Sequence, residues 1–224
     1  MTSDEAVGIT AVPPGAPAPG PAPGPAPGPR RSRSADRKAQ IARITRELVA
    51  QYGIHGASLA RIAHGIGVTD AALYRHFGSK DDMLIAAYDT LAERVFRWID
   101  SFAGHPVDTR LRKMGESHAE LFSKDILGFN GPMFQFNVWL PDGRVRKHVD
   151  KTHLAMMGAL ARMIEEGKAQ GTVREDVDPE LVVDELYAWI WWEDLSYLRG
   201  LDPKSIKKRS AEMVARIIKD VAAS

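Results

Sequence analysis

Apolar residues recur along this chain at three- and four-residue intervals, in blocks separated by glycine, proline and capping residues. The first block sets Ile41, Ile44, Leu48, Val49 and Tyr52 on one face of a helix from about Arg37 to Tyr52, with Gly53 as a left-handed stop. Ser58 caps a second helix whose apolar face is Leu59, Ile62, Ala63 and Ile66, and Gly67 permits a tight turn. Thr69 caps a third, with Asp70 favourably in its first turn and Leu73 and Phe77 pointing inward. Two short helices joined in this way form a helix-turn-helix, whose second helix enters a DNA major groove. Thr69, Asp70, Ala71 and Tyr74 then face outward.

The same periodicity continues. Ser79 to Asp82 has capping-box spacing for a fourth helix, with Leu84, Ala87, Leu91, Val95, Trp98 and Phe102 inward. A helix from about Asp108 to Lys124 turns Leu111, Met114, His118, Leu121 and Phe122 inward. Residues 125–142 are less regular, with a short helix expected through Phe134, Phe136 and Trp139. A long helix from about Gly143 to Gln170 carries Val149, Leu154, Met157, Ala161 and Ile164. Asp178-Pro179 and Asp202-Pro203 start the last two helices, ending near Leu198 and Val221. The first of these is apolar on two faces. Val182, Leu186, Trp189 and Leu195 occupy one, and Tyr187, Trp191 and Leu198 the other, so it is expected to pack on its own core and on a second subunit. The last helix aligns Ile206, Met213, Val214, Ile217 and Val221 among lysines and arginines. No stretch alternates like a strand. The expected fold class is all-α, an N-terminal three-helix helix-turn-helix domain followed by a C-terminal helical domain.

Composition narrows the function. The 224 residues are 44% apolar and 26% charged, ordinary for a soluble globular protein. The absence of cysteine excludes disulfides and thiolate metal sites and fits a cytoplasmic location. No apolar run approaches the roughly 18 residues of a membrane span, and no secretory signal pattern opens the chain. The net charge of +1 conceals an asymmetry. Residues 30–80 carry 10 Lys/Arg against Asp36, Glu47 and Asp70, a net +7, whereas residues 81–224 carry 20 bases against 24 acids. Positive charge is therefore concentrated on the helix-turn-helix, where a polyanion would dock.

Residues 1–29 hold nine prolines and five glycines and are expected to be a disordered tail. Residues 30–36 read as a basic arm in which Arg33, with Arg37 behind it, lies along phosphates or reaches a minor groove. The expected domains are then 37–80 for DNA binding and 81–224 for the helical remainder.

The motifs Gly56-Ala-Ser58, Ile62-Ala63, Gly67-Val68-Thr69, Leu73-Tyr-Arg-His-Phe77 and Ser79-Lys80 resemble the DNA-binding domain of TetR-type bacterial transcriptional regulators. With the first helix the likeness spans about 50 residues in order and spacing, while residues 88–224 match only in helical style. The resemblance implies phosphate contacts from Tyr74, His76, Lys80 and Ser58, and an approach of Thr69, Asp70 and Ala71 to base edges. It departs from the common pattern at Asp70-Ala71-Ala72, where this chain's own operator preference would lie. It also implies a homodimer through the last two helices, with Tyr187, Trp191, Leu198, Met213 and Ile217 as interface candidates, and a small-molecule pocket in the C-terminal domain.

Met114, His118, Phe122, Phe134, Trp139, Met157 and Trp189 are the candidates for lining that pocket, with plain core as the competing reading. Catalytic chemistry has little to rest on. There is no nucleophile motif or phosphate loop, and adjacent acids such as Glu193-Asp194 diverge on a helix rather than forming a dyad. His148 and His153 are five apart and do not stack for a metal. The expectation is a homodimeric, sequence-specific regulator of near-palindromic double-stranded DNA. It would be a repressor released by a small, partly apolar effector, with no cofactor, metal or membrane partner. The rivals are a ligand-independent nucleoid-associated regulator and an enzyme using the C-terminal half.

Overall fold

The structure, a computed structural model, describes residues 30–223, with side chains from Ser34 onward. The tail read over residues 1–29 and the side chain of Arg33 lie outside the described residues. The chain folds as α1 (Arg30–Gly56), α2 (Leu59–Ile66), α3 (Asp70–Tyr74), α4 (Lys80–Asp100) and α5 (Val107–His118). Two π-helical turns, Ala119–Ser123 and Ile126–Asn130, lead into α6 (Gly131–Val138), α7 (Arg144–Ala169), α8 (Pro179–Leu198) and α9 (Pro203–Val221).

Two boundaries differ from expectation. Residues 30–36 are the first turns of α1 rather than a separate arm. No glycine or proline interrupts the chain between Arg30 and Gln51, so the helix continues into the basic segment. Gly53 does not stop α1 but kinks it, with φ 71 and ψ 175, and a further turn runs to Gly56. That turn drives Ile54 into the core at 5% exposure and leaves Tyr52 53% exposed beneath the Arg61 guanidinium, not on the apolar stripe.

Among the described residues, two hydrophobic cores and a small satellite of Ala119, Tyr197 and Ile206 hold the helices. Ile41, Ile62, Ala63, Leu73, Phe77 and Met83 form a small one under α2 and α3. A much larger one joins α4 to α9 through residues such as Tyr88, Leu91, Leu111, Phe136, Ile164 and Leu186. Leu48 of α1 packs on both. α4 contributes Met83 to the small core and Leu84, Ala87 and Tyr88 to the large one. Fully burying each such side chain contributes about 1.5–3 kcal/mol. These helices therefore join both parts mechanically.

The helix expected over 108–124 breaks into π-helical geometry after His118. The wider turn brings residues five apart onto one face. His118 and Ser123 both point inward while Leu121, read as inward, is 42% exposed. Leu154, another expected inward residue, is 70% exposed on α7. The chain end is pinned by an isolated β-bridge between Val173 and Ala222, with the Ala223 amide donating to the Thr172 carbonyl at 3.1 Å.

Candidate nucleic-acid interface and internal cavity

The helix-turn-helix is built by its caps. The Ser58 hydroxyl accepts from the Arg61 amide and the Thr69 hydroxyl from the Ala72 amide, each at 3.3 Å. Gly67 takes the left-handed conformation (φ 73), and the Val68 amide closes the turn on the Ala63 carbonyl at 3.0 Å. Leu73 is fully buried, which fixes the rotation of α3 and leaves Thr69, Asp70, Ala71 and Tyr74 on the solvent side. Helical geometry ends at Tyr74, so Phe77 enters the core from the turn that follows. A turn then follows in which the His76 amide donates to the Leu73 carbonyl at 2.9 Å.

Charge gathers beside this surface. Arg37 of α1, Arg75 and half-buried His76 line one hollow at the edge of α3. Arg37 also donates to Gln40 at 2.8 Å, and Lys80, at the start of α4, donates to the Ile54 carbonyl at 3.3 Å. Arg75 escaped the sequence reading, although it lies in the same motif turn as Tyr74 and His76. Exposed donors on short, well-capped helices with a net positive edge suit phosphate oxygens and base edges.

A second feature lies in the large core. A cavity of about 80 Å³ is enclosed by α4, the π-helical turns, α6, α7 and α8. Of the residues read as pocket candidates, His118, Phe122, Phe134 and Met157 line it. Met114 and Trp189 do not. Both are 1% exposed in the surrounding core, and the Trp189 indole donates to the Ser210 hydroxyl at 2.7 Å. Trp139 lies outside, 60% exposed just after α6. Tyr187, Trp191 and Leu198, read as an intersubunit stripe, line the cavity instead. The second apolar face of α8 lines an internal space. Ile217, another interface candidate, is 7% exposed in the large core, and Met213 is half-buried beside Trp192.

Polar groups converge on the cavity wall. His118 Nδ1 and Glu193 Oε2 lie 2.6 Å apart, both fully buried. Ser123 donates to Asp194 Oδ1 at 2.8 Å and lies 3.3 Å from both His118 Nδ1 and Glu193 Oε2. Although adjacent in sequence, the two acids meet at one hydroxyl because the π-helical turn sets Ser123 between them. This is not a nucleophile–base–acid relay, since the serine and the acid face the same imidazole nitrogen. Burial pushes the Asp194 carboxyl above the usual carboxylate range, opposed by the nearby His118, the Ser123 hydroxyl and the Asn130 amide. Burial likewise pushes His153, on the opposite wall, below its ordinary value. Arg94 closes the outer side, stacking over Phe122 and Phe129 and pairing with Asp125 at 2.7 Å and with the Leu121 carbonyl. His148 pairs with Asp89 at 2.6 Å, away from His153. Among the described residues, no helix is long and apolar enough to cross a membrane.

Known proteins share this arrangement. Residues 41–87 match the family of bacterial regulatory proteins of the tetR type, and residues 141–194 match the tetracycline-repressor-like C-terminal domain. The chain is 23% identical over 186 residues to the HTH-type transcriptional regulator PksA of Bacillus subtilis, covering 81% of this chain and 86% of that one. Among solved structures, a TetR transcriptional regulator from Chloroflexus aurantiacus superposes with a TM-score of 0.74 at 18% identity, covering 86% of this chain and 100% of that one. A transcriptional regulator from Saccharomonospora viridis, solved in complex with choline, gives 0.67 at 20% identity, with 85% and 100% covered. With the family's DNA-binding motif folded as a capped helix-turn-helix over residues 41–87 and its C-terminal domain matched over 141–194, the chain belongs to the TetR family of DNA-binding transcriptional regulators.

Proposed function

We propose that this protein is a homodimeric repressor that acts in the cytoplasm and releases its operator when a small molecule enters the α4–α8 cavity. The observation that carries this reading is the double role of α4. Its first turns carry Lys80 and Met83, which belong to the helix-turn-helix side, and its last turns place Trp98 and Ile99 in the cavity wall. α6 offers a second link. Phe134 and Asn137 line the cavity, while Gln135 sits against the α1 kink, its Oε1 3.3 Å from where a Cβ on Gly53 would stand. A ligand that binds one setting of α4 and α6 better than another shifts the spacing of two DNA-binding heads by that difference in affinity.

In this reading residues 37–80 form the DNA-binding unit and residues 81–224 the effector and dimer unit. Ser58, Tyr74, His76 and Lys80 grip phosphate, joined by Arg37 and Arg75, and Thr69, Asp70 and Ala71 meet base edges. The two-fold axis runs along the exposed face of α8. Leu181 and Leu195, 59% and 44% exposed, flank exposed Ala188 at seven-residue spacing, with Met213 of α9 alongside. The test is selection of genomic fragments by the purified protein. A near-palindrome with half-sites about one helical turn or a multiple apart is expected, and recovery of random sequence would refute the reading.

A further inference from the structure

We infer that the cavity ligand is a compact organic cation, a small ammonium compound with one hydroxyl or carbonyl, held between Trp191, Tyr187 and the Asp194 carboxylate. This inference rests on the reading of the cavity as the effector site and specifies what enters it.

The face of α8 toward the cavity repeats at helical spacing as Tyr187, Trp191, Asp194 and Leu198. The Tyr187 and Trp191 rings are 5.8 Å apart, and Phe134 extends the row, 5.6 Å beyond Trp191. Indole and phenol faces are the aromatic surfaces that attract a cation best. Asp194 lies next on the same stripe. One of its oxygens accepts from Ser123, and no cationic side chain pairs with it. His118 is engaged by Glu193 at 2.6 Å. Among the described residues, no lysine or arginine lines the cavity. Arg94, the nearest stacked guanidinium, lies over Phe122 and Phe129 and is committed to Asp125.

An acid drawn out of water beside rings, with only the Glu193-bound imidazole of His118 as a nearby counter-charge, is a costly arrangement in the empty protein. A cationic ligand supplies the missing charge. A carboxylate or phosphate ligand would instead meet like charge with no lysine or arginine to receive it. Asn130 adds the second element. It is 2% exposed, lines the cavity next to Asp194, and neither of its amide atoms makes a hydrogen bond of good geometry. Such a buried amide calls for a ligand hydroxyl or carbonyl, or for water held in its place.

The experiment is calorimetric titration of the full-length protein with choline and tetramethylammonium, and with 3,3-dimethyl-1-butanol, the neutral isostere of choline. Both cations should bind, choline more tightly because its hydroxyl reaches Asn130, and the neutral isostere should bind at least about tenfold more weakly. Asp194→Asn, which keeps the acceptor for Ser123, should cost choline about tenfold or more and leave the isostere unaffected. Trp191→Leu guards against a folding artefact and should show the same selectivity for the cations. Equal binding of choline and its isostere, or no binding of either cation, overturns the inference. Cation binding that depends on Asp194 but leaves DNA affinity unchanged would uphold the ligand class and refute the effector reading. Release of DNA by neutral or anionic compounds alone would do the reverse.

Discussion

Arg144, in the first turn of α7, bridges to Asp82, in the first turn of α4, at 2.6 Å, and its other terminal nitrogen donates to the Ser79 hydroxyl at 2.8 Å. The same Ser79 hydroxyl caps α4 by accepting from the Asp82 amide at 3.2 Å. One guanidinium thus ties the entry of the helix that carries the DNA-binding side to a helix of the cavity wall. The hydrogen bond from Arg144 is the main reason the Asp82 carboxyl is held below the usual carboxylate range.

A carboxyl lowered in this way supports the fold at pH values above its unfolded pKa and loses that support as acid protonates it. Arg144→Ala should return the Asp82 titration toward the ordinary value, seen by carboxyl NMR. The melting temperatures of variant and wild type should converge below about pH 4. Because the pair is solvent-exposed, the difference at neutral pH should be small and should shrink with salt.

Asp194 carries the opposite sign. Its carboxyl is raised by burial, so the folded state holds a proton that the unfolded chain has already released, and stability falls as pH rises through the ordinary carboxylate range. Asp194→Asn should therefore melt higher than wild type at pH 7. The gap should close below about pH 4, where both states are protonated. A variant that melts lower at neutral pH would contradict a carboxyl whose burial outweighs its hydrogen bonds.

Gly67 offers a test of the turn that is free of packing. A Cβ there would meet no atom within 4 Å, so only the left-handed backbone opposes a side chain. Gly67→Ala should cost about 1–2 kcal/mol in urea unfolding. An unchanged midpoint would mean that the turn is not left-handed.

Leu195→Asp, on the exposed face of α8, should convert the proposed dimer to monomers in light scattering without lowering the helical content. Tyr187→Phe faces the cavity and should leave the dimer intact. The reverse pattern would restore the interface first read from the sequence.

The helix-turn-helix was almost fully legible because its determinants are local. Ser58, Thr69 and Ser79 cap at short range, Gly67 turns, and Leu73 sets the face of α3. The cavity was legible only in part. Its polar cluster depends on a π-helical turn after His118, and periodicity assumes a regular helix, so Leu121 was placed inward and Ser123 overlooked. Glu193 and Asp194 were set aside because neighbours diverge on a helix. Tertiary packing brought a shared partner to both. Of the two apolar faces read on α8, Val182, Leu186 and Trp189 are in the core, Leu195 is 44% exposed, and Tyr187, Trp191 and Leu198 line the cavity half-buried. Amphipathicity alone does not say whether a second buried face meets a subunit or an internal space.

The central claim is tested most directly by measuring affinity for a selected operator fragment as a function of salt, for wild type and for Tyr74→Phe and Lys80→Ala. Wild type should show a steep log–log slope, with roughly 0.9 added for each phosphate neutralised. Lys80→Ala should reduce that slope by about one and weaken all sequences alike, and Tyr74→Phe should weaken binding with the slope retained. Unchanged affinity and slope in both variants would show that this face of the helix-turn-helix does not hold DNA.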